Sequence, residues 1–382
     1  MSHIVVVGAG VFGTWTASHL LAAGARVTLV EAYGPGNSRS SSGDESRIIR
    51  CGYGADEIYS RYALRSLRLW RDLASSTTEQ PPLMHRCGVL WLAAGDDPYT
   101  DATRRTLEHG RYPLQVLDAA ALADRYPHMD VADVSMALFE PECGVVMARR
   151  AVSALAARLV RDEVPIVRAR IGPIEAAPGP LRAVQIGDGR ELRADAFVFA
   201  CGAWLPKVFP SLLEGRIRST RQVVLYFGTP AGDERFGPQH TPAWVDFPAG
   251  VYGAPDLEGR GVKVGLDRHG DAFDPDTGDR TVDLESVATA RAWLARRFPA
   301  MAGAPLVESR VCQYENTSTG DFLIDRHPDH ENVWIVGGGS GHGFKHGPAV
   351  GEYAAGLITK GGDLEPRFSL QARDAEPRRS VY

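Results

Sequence analysis

The residues from Ile4 to Glu31 constrain the fold of this chain more than any other part of its sequence. They read IVVVGAGVFGTWTASHLLAAGARVTLVE, which predicts a buried strand, a glycine-rich turn, a helix and a second strand that ends in an acid. Gly8, Gly10 and Gly13 have the G-x-G-x-x-G spacing in which glycines permit a tight turn, close approach to a pyrophosphate and close helix–strand packing. The stretch therefore predicts a Rossmann-like βαβ unit that binds a dinucleotide.

The acid at the end of this unit indicates which dinucleotides fit. Glu31 is placed to accept hydrogen bonds from the two hydroxyls of an adenosine ribose, and its charge disfavours the additional phosphate of NADP. Unpaired N–H groups at the start of the following helix favour a pyrophosphate. These residues alone leave FAD and NAD both open. An ordinary glycine turn that binds no ligand is the alternative interpretation.

Composition and charge narrow the class of protein. A chain of 382 residues is long enough for two domains, and 44% apolar with 23% charged residues is typical of a soluble globular protein. The net charge of −5 gives no support to nucleic-acid binding. No apolar run approaches a membrane span, and the first strand begins too early for a signal peptide. We therefore expect a cytoplasmic protein with no nucleic-acid or membrane partner.

The cysteines give no metal or disulfide pattern. Their number is odd, no two form a C-x-x-C pair, and none lies at zinc-ligand spacing from histidines. The sequence predicts free thiols and no metal site. The cysteines are Cys51, Cys87, Cys143, Cys201 and Cys312.

A long polar loop follows the first unit, with the sequence AYGPGNSRSSSGDESRIIRCGYG. A loop of this length inside a compact domain is usually functional. The hydroxyls of Ser40, Ser41 and Ser42 and the cations Arg47 and Arg50 suit the polar and anionic groups of a ligand that extends from the pyrophosphate. A solvated surface loop with helix caps is the alternative.

The middle of the chain predicts a second cofactor contact and a second sheet. The apolar strand Ala196–Ala200 leads into CGAW, a turn suited to pack against phosphates, although a strand end with a buried tryptophan explains it as well. Between residues 218 and 311 the segments RQVVLYFG, PAWVDF, GVYGAP and GVKVGLD predict an antiparallel sheet. A single helix, Leu284–Arg297, interrupts them.

The last part of the chain predicts a return to the first domain. In FLIDRHPDHENVWIVGGGSGHGFKHGPAVGEYAAGLI we expect a strand at Val333–Val336, a glycine turn at Gly337–Gly343 and a helix from about Pro348. Lys345 is predicted to lie in that turn, where a cation could meet a carboxylate or a redox-active ring.

These motifs together resemble the monomeric sarcosine oxidase family of FAD-dependent amine oxidoreductases, which includes N-methyltryptophan oxidase, pipecolate oxidase and fructosyl amino acid oxidases. GAGVFG, SSSGDESRIIR, GAW, GVKVG, CQYENTSTGDFLIDRHP and GGGSGHGFK follow one another in the family's order over nearly the whole chain. The resemblance implies FAD rather than NAD. It also implies a monomer that oxidises a small amino acid or amine with O2 and forms hydrogen peroxide.

The resemblance assigns roles at the substrate. Arg50 and Lys345 match the pair of cations that holds the substrate carboxylate, and Tyr252 and Tyr314 match active-site tyrosines. Where sarcosine oxidases carry a histidine in the pocket, this chain has Asp267. A carboxylate there would pair with the substrate amine or a cationic side chain, which weakens the case for sarcosine itself. The alternative is that Asp267 points to solvent at a strand end.

The resemblance also assigns roles at the flavin. Cys312 occupies the position at which the family attaches the flavin through its 8α-methyl group, although a small buried thiol is the alternative. Arg47 matches the arginine over the flavin face, and Lys263 matches the lysine that speeds the reaction of reduced flavin with oxygen. The predicted cofactor-binding residues are Gly8, Gly10, Val11, Phe12, Gly13, Glu31, Ala32, Ser40, Ser41, Ser42, Arg47, Ile171, Cys201, Gly202, Trp204, Cys312, Gly339, Ser340, Gly341, Gly343 and Lys345.

The predicted fold class is α/β, with two domains that each draw on separate segments. A Rossmann-like FAD-binding domain takes residues 1–85, 143–216 and 320–382, and an α+β substrate domain on a mainly antiparallel sheet takes 86–142 and 217–319. Three other functions stay open at this point. They are a dehydrogenase with a quinone or protein electron acceptor, a nicotinamide-linked dehydrogenase, and a non-catalytic flavin-binding module.

Overall fold

Two large sheets built from interleaved parts of the chain form the framework of the protein. The computed structural model describes residues 1–77, 81–187 and 189–374, so the last eight residues of the predicted FAD-binding domain lie outside it. The strands are β1 His3–Val7, β2 Arg26–Glu31, β3 Arg47–Ile49, β4 Met84–His85, β5 Val89–Ala93, β6 Gln115–Asp118, β7 Met136–Glu140, β8 Gly144–Val146, β9 Ile166–Arg168, β10 Ala183–Gln185, β11 Glu191–Arg193, β12 Ala196–Phe199, β13 Ile217–Phe227, β14 Ala243–Asp246, β15 Val251–Ala254, β16 Val262–Leu266, β17 Leu306–Thr317, β18 Leu323–Arg326 and β19 Val333–Gly337.

Helices cover or connect these sheets. The α-helices are α1 Val11–Ala22, α2 Glu57–Ser75, α3 Pro98–His109, α4 Ala119–Arg125, α5 Ala148–Arg161, α6 Leu205–Val208, α7 Pro210–Leu213, α8 Leu284–Arg297 and α9 Gly343–Lys360. Short 3-10 helices span Gly202–Trp204, Glu234–Phe236, Pro299–Met301, Pro366–Phe368 and Gln371–Asp374. No helix in the described part of the chain is long and apolar enough to cross a membrane.

The first sheet has six strands in the order β18-β19-β12-β1-β2-β9. Its centre, β1, pairs in parallel with β12 on one side and β2 on the other, and its strand residues are almost wholly apolar because both faces are covered. Helices α1 and α9 pack closely on one face. A Cβ at Gly351 would lie 2.6 Å from the backbone of Trp15, so glycine permits this approach.

The second sheet has eight strands in the order β17-β13-β16-β15-β14-β5-β7-β6. Most neighbours are antiparallel, as predicted, but β14 pairs with β5 in parallel. The exception arises because β5 belongs to the earlier excursion of the chain and is not joined to β14 by a hairpin. Helix α8 covers this sheet through Trp293, which stacks on Trp244 with ring centroids 5.7 Å apart.

The predicted fold class is confirmed, with corrections at the element ends. Helix α9 begins at Gly343, five residues before Pro348, so Lys345 lies in the first turn of the helix and not in the glycine turn. Pro348 therefore lies inside the helix, in its second turn, where it cannot donate the backbone hydrogen bond to the carbonyl of Phe344.

The domain boundaries stay a prediction. The six-stranded sheet takes its strands from residues 3–31, 166–199 and 323–337, and the eight-stranded sheet takes its strands from 89–140 and 217–317. A small third sheet, β3-β8-β4, lies beside them and leads directly into Arg50. All five cysteines are free thiols, as expected.

Candidate active site

A cavity of about 440 Å³ opens at the carboxyl ends of the parallel strands β1, β2 and β12. This edge is where α/β sheets of this kind bind their ligands. The wall contains most of the residues predicted to bind the cofactor, and Tyr314 with them. They are Gly8, Gly10, Val11, Phe12, Glu31, Ala32, Ser40, Ser41, Ser42, Arg47, Ile171, Cys201, Gly202, Trp204, Gly339, Ser340, Gly341 and Gly343.

The glycine turn has the geometry that its spacing predicts. Gly8 has a φ of +104°, and a Cβ there would lie 2.3 Å from the carbonyl oxygen of Ala200. A Cβ at Gly13 would lie 1.8 Å from the carbonyl oxygen of Gly8, so Gly13 packs helix α1 onto the turn from behind the cavity. The Val11 N–H donates to Ser42 Oγ at 3.1 Å, which ties the polar loop to the start of the helix.

Glu31, predicted to bind an adenosine ribose, lies in the cavity wall at the end of β2. Its carboxylate accepts hydrogen bonds from the backbone N–H groups of Ala9 and Tyr33, both at 2.8 Å, and the residue lines the cavity. Each carboxylate oxygen can accept further hydrogen bonds, as a ribose diol requires. With the glycine cradle and the start of α1, both of which line the cavity, this donor set fits the dinucleotide part of FAD.

The cavity wall also contains residues that sequence reasoning missed. Some of them lie within or beside the motifs described above, and the others come from connections that the topology brings to this edge. They are Val7, Val30, Tyr33, Asn37, Ala169, Arg170, Gly172, Pro173, Ala200, Ala203, Lys207, Val208, Asp276, Gln313, Glu315 and Phe344.

Glu315 is the most unusual of these residues. Its carboxyl is buried between the two glycine turns of the wall, where Oε1 accepts the Gly339 N–H at 3.2 Å and Oε2, against Gly202, has no hydrogen-bond partner. Burial raises the pKa of Glu315 from 4.5 to about 7, opposed only by the hydrogen bond from Gly339. An unpartnered polar atom at this depth is costly, so the neutral acid is the favoured form below about pH 7.

A buried ionic network joins the polar loop to the second sheet. Lys263, 3% exposed, places Nζ 2.7 Å from Asp44 Oδ2 and 2.6 Å from the Ser46 carbonyl oxygen, and Arg47 also pairs with Asp44. Tyr226 donates its hydroxyl to the same carboxylate at 3.0 Å. Burial would raise the pKa of Asp44, but the charges of Lys263 and Arg47 outweigh it and hold that pKa below its ordinary value. Burial lowers the pKa of Lys263, and Asp44 opposes this.

This network reaches the cysteine predicted to carry the flavin. Arg47 Nη2 lies 3.5 Å from Cys312 Sγ, and Arg47 is part of the cavity wall. Cys312 and Lys263 stand behind the wall and do not line the cavity as the structure describes it. The sequence predicts separate roles for Arg47, Lys263 and Cys312. It does not predict that Asp44 joins Arg47 to Lys263, because Asp44 is marked only by its place in the polar loop.

The two predicted clamp cations meet at Tyr53. Lys345 Nζ donates to the Tyr53 hydroxyl at 2.8 Å, and the Arg50 guanidinium carbon lies 4.5 Å from the centroid of the same ring. Arg50 is 5% exposed and Lys345 is 7% exposed. Burial and the charge of Arg50 hold the pKa of Lys345 well below its ordinary value, and Asp267 opposes them. The cations therefore share one buried location, although neither lines the main cavity.

Asp267 stands between the clamp and the cavity. It follows the last residue of β16, is half-buried, and accepts a hydrogen bond from the hydroxyl of the wall residue Tyr314 at 3.3 Å. Its charge favours the protonated forms of both Arg50 and Lys345. Tyr252 lies next to Tyr314, and burial raises the pKa of both phenols. The contact with Tyr314 removes the alternative in which Asp267 points only to solvent.

Glu140 fixes the backbone beside the clamp. It is fully buried at the end of β7 and accepts from the Cys51 N–H at 2.7 Å and from Trp91 Nε1 at 2.8 Å. Trp91 in turn lies under the Arg50 guanidinium, 4.9 Å from carbon to ring centroid. Ligand atoms of Cys51, Glu140 and Cys143 all lie within 4.8 Å of one another, a grouping that the sequence spacing did not predict. The hydrogen bonds that Glu140 accepts from the Cys51 N–H and Trp91 Nε1 account for its position in this group without a metal ion.

Comparison with known proteins places these features in a family. A model of the FAD dependent oxidoreductase family matches residues 3–357. The chain is 31% identical to a monomeric sarcosine oxidase from Streptomyces avermitilis, covering 95% of each chain. It is 30% identical to a monomeric sarcosine oxidase from a Bacillus species, covering 94% of this chain and 92% of that one. The fold also matches the crystal structure of an L-proline dehydrogenase from P. horikoshii, with a TM-score of 0.83, 23% identity and 99% of both chains covered.

The acid Glu315 predicts an unusual pH dependence of stability. An unfolded chain loses this proton near pH 4.5 while the folded protein keeps it up to about pH 7, so stability falls as pH rises through this window. The rise from 4.5 to about 7 corresponds to about 3 kcal/mol. Glu315→Gln should therefore stabilise the cofactor-free protein at pH 8 much more than at pH 5, as measured by urea unfolding.

Glu352 provides the matched control. Its hydrogen bond and ion pair with Arg65 lower the pKa of Glu352, so this contact adds stability at neutral pH that is lost as pH falls. Glu352→Gln should show the opposite trend and be less stable than the wild type at pH 8. An equal effect of Glu315→Gln at both pH values would contradict the raised pKa.

Proposed function

Because the chain belongs to the FAD-dependent oxidoreductase family, we propose that it oxidises a secondary amine or N-substituted amino acid and passes the electrons to O2. One observation carries this proposal. Arg50 and Lys345 are buried cations that meet at Tyr53, beside a cavity whose residues fit FAD. Buried like charges are unfavourable, and Asp267 and Glu140 offset this only in part, since the pKa of Lys345 stays well below its ordinary value. A substrate carboxylate is the anion that the arrangement suits.

The side chains would orient the substrate and would not remove a strongly held proton. Arg50 and Lys345 bind the carboxylate and so fix the α-carbon relative to the cavity wall at Tyr314. The hydroxyls of Tyr252 and Tyr314 stay protonated, because burial raises the pKa of both phenols. When bound, FAD supplies the acceptor for a hydride from the carbon next to nitrogen. The substrate amine then has to bind in its neutral form.

Asp267 would set the character of the substrate. Its carboxylate lies near both clamp cations and accepts from Tyr314, on the side of the clamp that faces the cavity. A second acidic group on the substrate would be repelled there, whereas an amine or a cationic side chain would be attracted. We therefore propose an N-methyl, cyclic or glycated amino acid without a second carboxylate. Partners are this substrate and O2, and a monomeric cytoplasmic protein stays a prediction.

The acceptor can be tested in air. With an N-methyl amino acid that is a substrate, the purified protein should consume O2 and form one molecule of hydrogen peroxide for each imine produced. Water then hydrolyses the imine. Peroxide is measured with a peroxidase-coupled dye and oxygen with an electrode. A protein that reduces an artificial dye with substrate but leaves O2 unconsumed would be a dehydrogenase, and the oxidase proposal would be wrong.

Lys263 would promote the reaction with oxygen. A buried cation stabilises the negative charge that develops on oxygen, an effect worth about a hundredfold in rate where single donors are removed. Lys263→Met should slow reoxidation in stopped flow by this order while it changes anaerobic reduction by substrate much less. Lys360→Met, which removes an exposed cation at the end of α9, is the control. Equal slowing of both half-reactions would remove this role from Lys263.

Cys312 would hold the flavin covalently. Its position matches the attachment site of the resembled family, and its sulfur lies 3.5 Å from a guanidinium nitrogen of the wall residue Arg47. Acid precipitation of the wild type should leave yellow colour in the pellet, and Cys312→Ala should release that colour into the supernatant. Cys201→Ala, a change to a thiol that does line the cavity, should keep the colour in the pellet. A white wild-type pellet would show that the flavin is not covalently bound.

A further inference from the structure

A segment of the eight-stranded sheet's domain reaches across to the wall of the cofactor cavity. Residues 267–283 connect β16 to α8, yet Asp276 within them lines the cavity at the edge of the other sheet. The turn that presents Asp276 is well defined, because Asp274 Oδ1 accepts the backbone N–H groups of Asp276 at 2.8 Å and Thr277 at 3.0 Å. The base of the segment is tied to β13 by the Phe273 N–H, which donates to the Ser219 carbonyl oxygen at 2.9 Å.

Side chains from the opposite side converge on the Asp276 carboxylate. Oδ1 accepts from Arg170 Nη2 at 2.9 Å, from Trp204 Nε1 at 3.0 Å and from the Tyr33 hydroxyl at 3.3 Å. Oδ2 accepts from Lys207 Nζ at 2.7 Å. The donors follow three different strands of the six-stranded sheet, since Tyr33 comes after β2, Arg170 after β9, and Trp204 and Lys207 after β12. One carboxylate thus bridges three connections of the neighbouring sheet.

This bridge closes a particular end of the cavity. Tyr33 stands two residues after Glu31, the acid placed to bind an adenosine ribose, and both residues line the cavity together with Arg170, Trp204 and Lys207. The bridged end is therefore the adenosine end. Partial burial would raise the pKa of Asp276, but hydrogen bonds from Lys207, Trp204 and Arg170 hold it well below its ordinary value. The carboxylate stays charged at neutral pH.

A single exposed ion pair would be too weak for such a role. Arg170 is 55% exposed at its side chain and Lys207 is 42% exposed, and isolated pairs of this kind add little to stability. The Asp276 carboxylate is only 20% exposed and holds both cations, an indole N–H and a phenol at once. Charge-assisted hydrogen bonds to one shared carboxylate act together, so the loss of Asp276 removes all of them.

We propose that residues 267–283 form a latch, fastened by Asp276, that holds the adenosine end of FAD in the cavity and sets how often that end is exposed. This inference rests on FAD as the cofactor but not on the identity of the substrate or of the electron acceptor. A segment outside the nucleotide-binding motifs would thus control how well the cofactor is retained.

The test measures how fast the pyrophosphate of bound FAD becomes accessible. Holoenzyme is incubated with a nucleotide phosphodiesterase, and the AMP released is measured by chromatography. AMP appears whether FAD leaves the protein or is held covalently and only its adenosine end opens. Asp276→Asn should release AMP about tenfold faster or more than the wild type, the order expected when hydrogen bonds to a charged group are lost.

Two further variants separate the latch from a general effect of charge. Asp271→Asn removes an exposed carboxylate from the same segment outside the cavity wall, and it should behave as the wild type. Arg170→Gln should speed the release of AMP less than Asp276→Asn, and the double variant should be no faster than Asp276→Asn because both changes open the same contact. Thermal unfolding of each holoenzyme checks that the fold is kept.

The outcomes are distinct. Equal AMP release from Asp276→Asn and the wild type would overturn the latch, and so would equal acceleration by Asp271→Asn. A wild type that contains no FAD would overturn the cofactor assignment and the latch together. Failure of every amine to reduce the flavin would count against the proposed function alone and would leave the latch measurement valid.

Discussion

Two positive charges held on one buried phenol are the constraint on which the rest of this site depends. Arg50 lies on the ring of Tyr53, and Lys345 donates to its hydroxyl at 2.8 Å. Both are nearly excluded from water, where a like-charged pair is unfavourable. Burial and the charge of Arg50 lower the pKa of Lys345, which shows that the positive charge on Lys345 is disfavoured at this location. An incoming carboxylate would relieve it, so the protein holds in advance the charges that an amino acid substrate needs.

The surrounding structure keeps those charges in place. Glu140 accepts hydrogen bonds from the Cys51 N–H, directly after Arg50, and from Trp91, whose ring lies under the Arg50 guanidinium. One carboxylate therefore fixes both Arg50 and the ring beneath it. Lys345 is held by its place in the first turn of α9, which packs on α1. The nucleotide-binding edge and the clamp are thus parts of one rigid arrangement, and Tyr314 with Asp267 lies between them.

Sequence reasoning recovered the parts of this arrangement that are encoded locally. The glycine turn, Glu31 and the late glycine-rich segment are short motifs whose function follows from backbone geometry, and each of them contributes residues to the cavity wall. The helix α9 begins five residues before the predicted start, because proline is typical of a first helical turn and Pro348 lies in the second. Asp44, Tyr53, Glu140, Asp276 and Glu315 could not be found this way, since their roles arise from partners distant in the chain. Periodicity and spacing carry no information about which distant groups meet.

The most direct test is whether the substrate carboxylate is required. Under anaerobic conditions, N-methyl, cyclic and glycated amino acids are titrated into the oxidised protein beside the matching amines that lack the carboxylate, and the visible flavin absorbance is followed. We expect at least one amino acid to bleach the flavin and its decarboxylated partner to do so only at far higher concentration. Equal bleaching by both members of a pair would contradict it, because Arg50 and Lys345 would then not be holding the substrate.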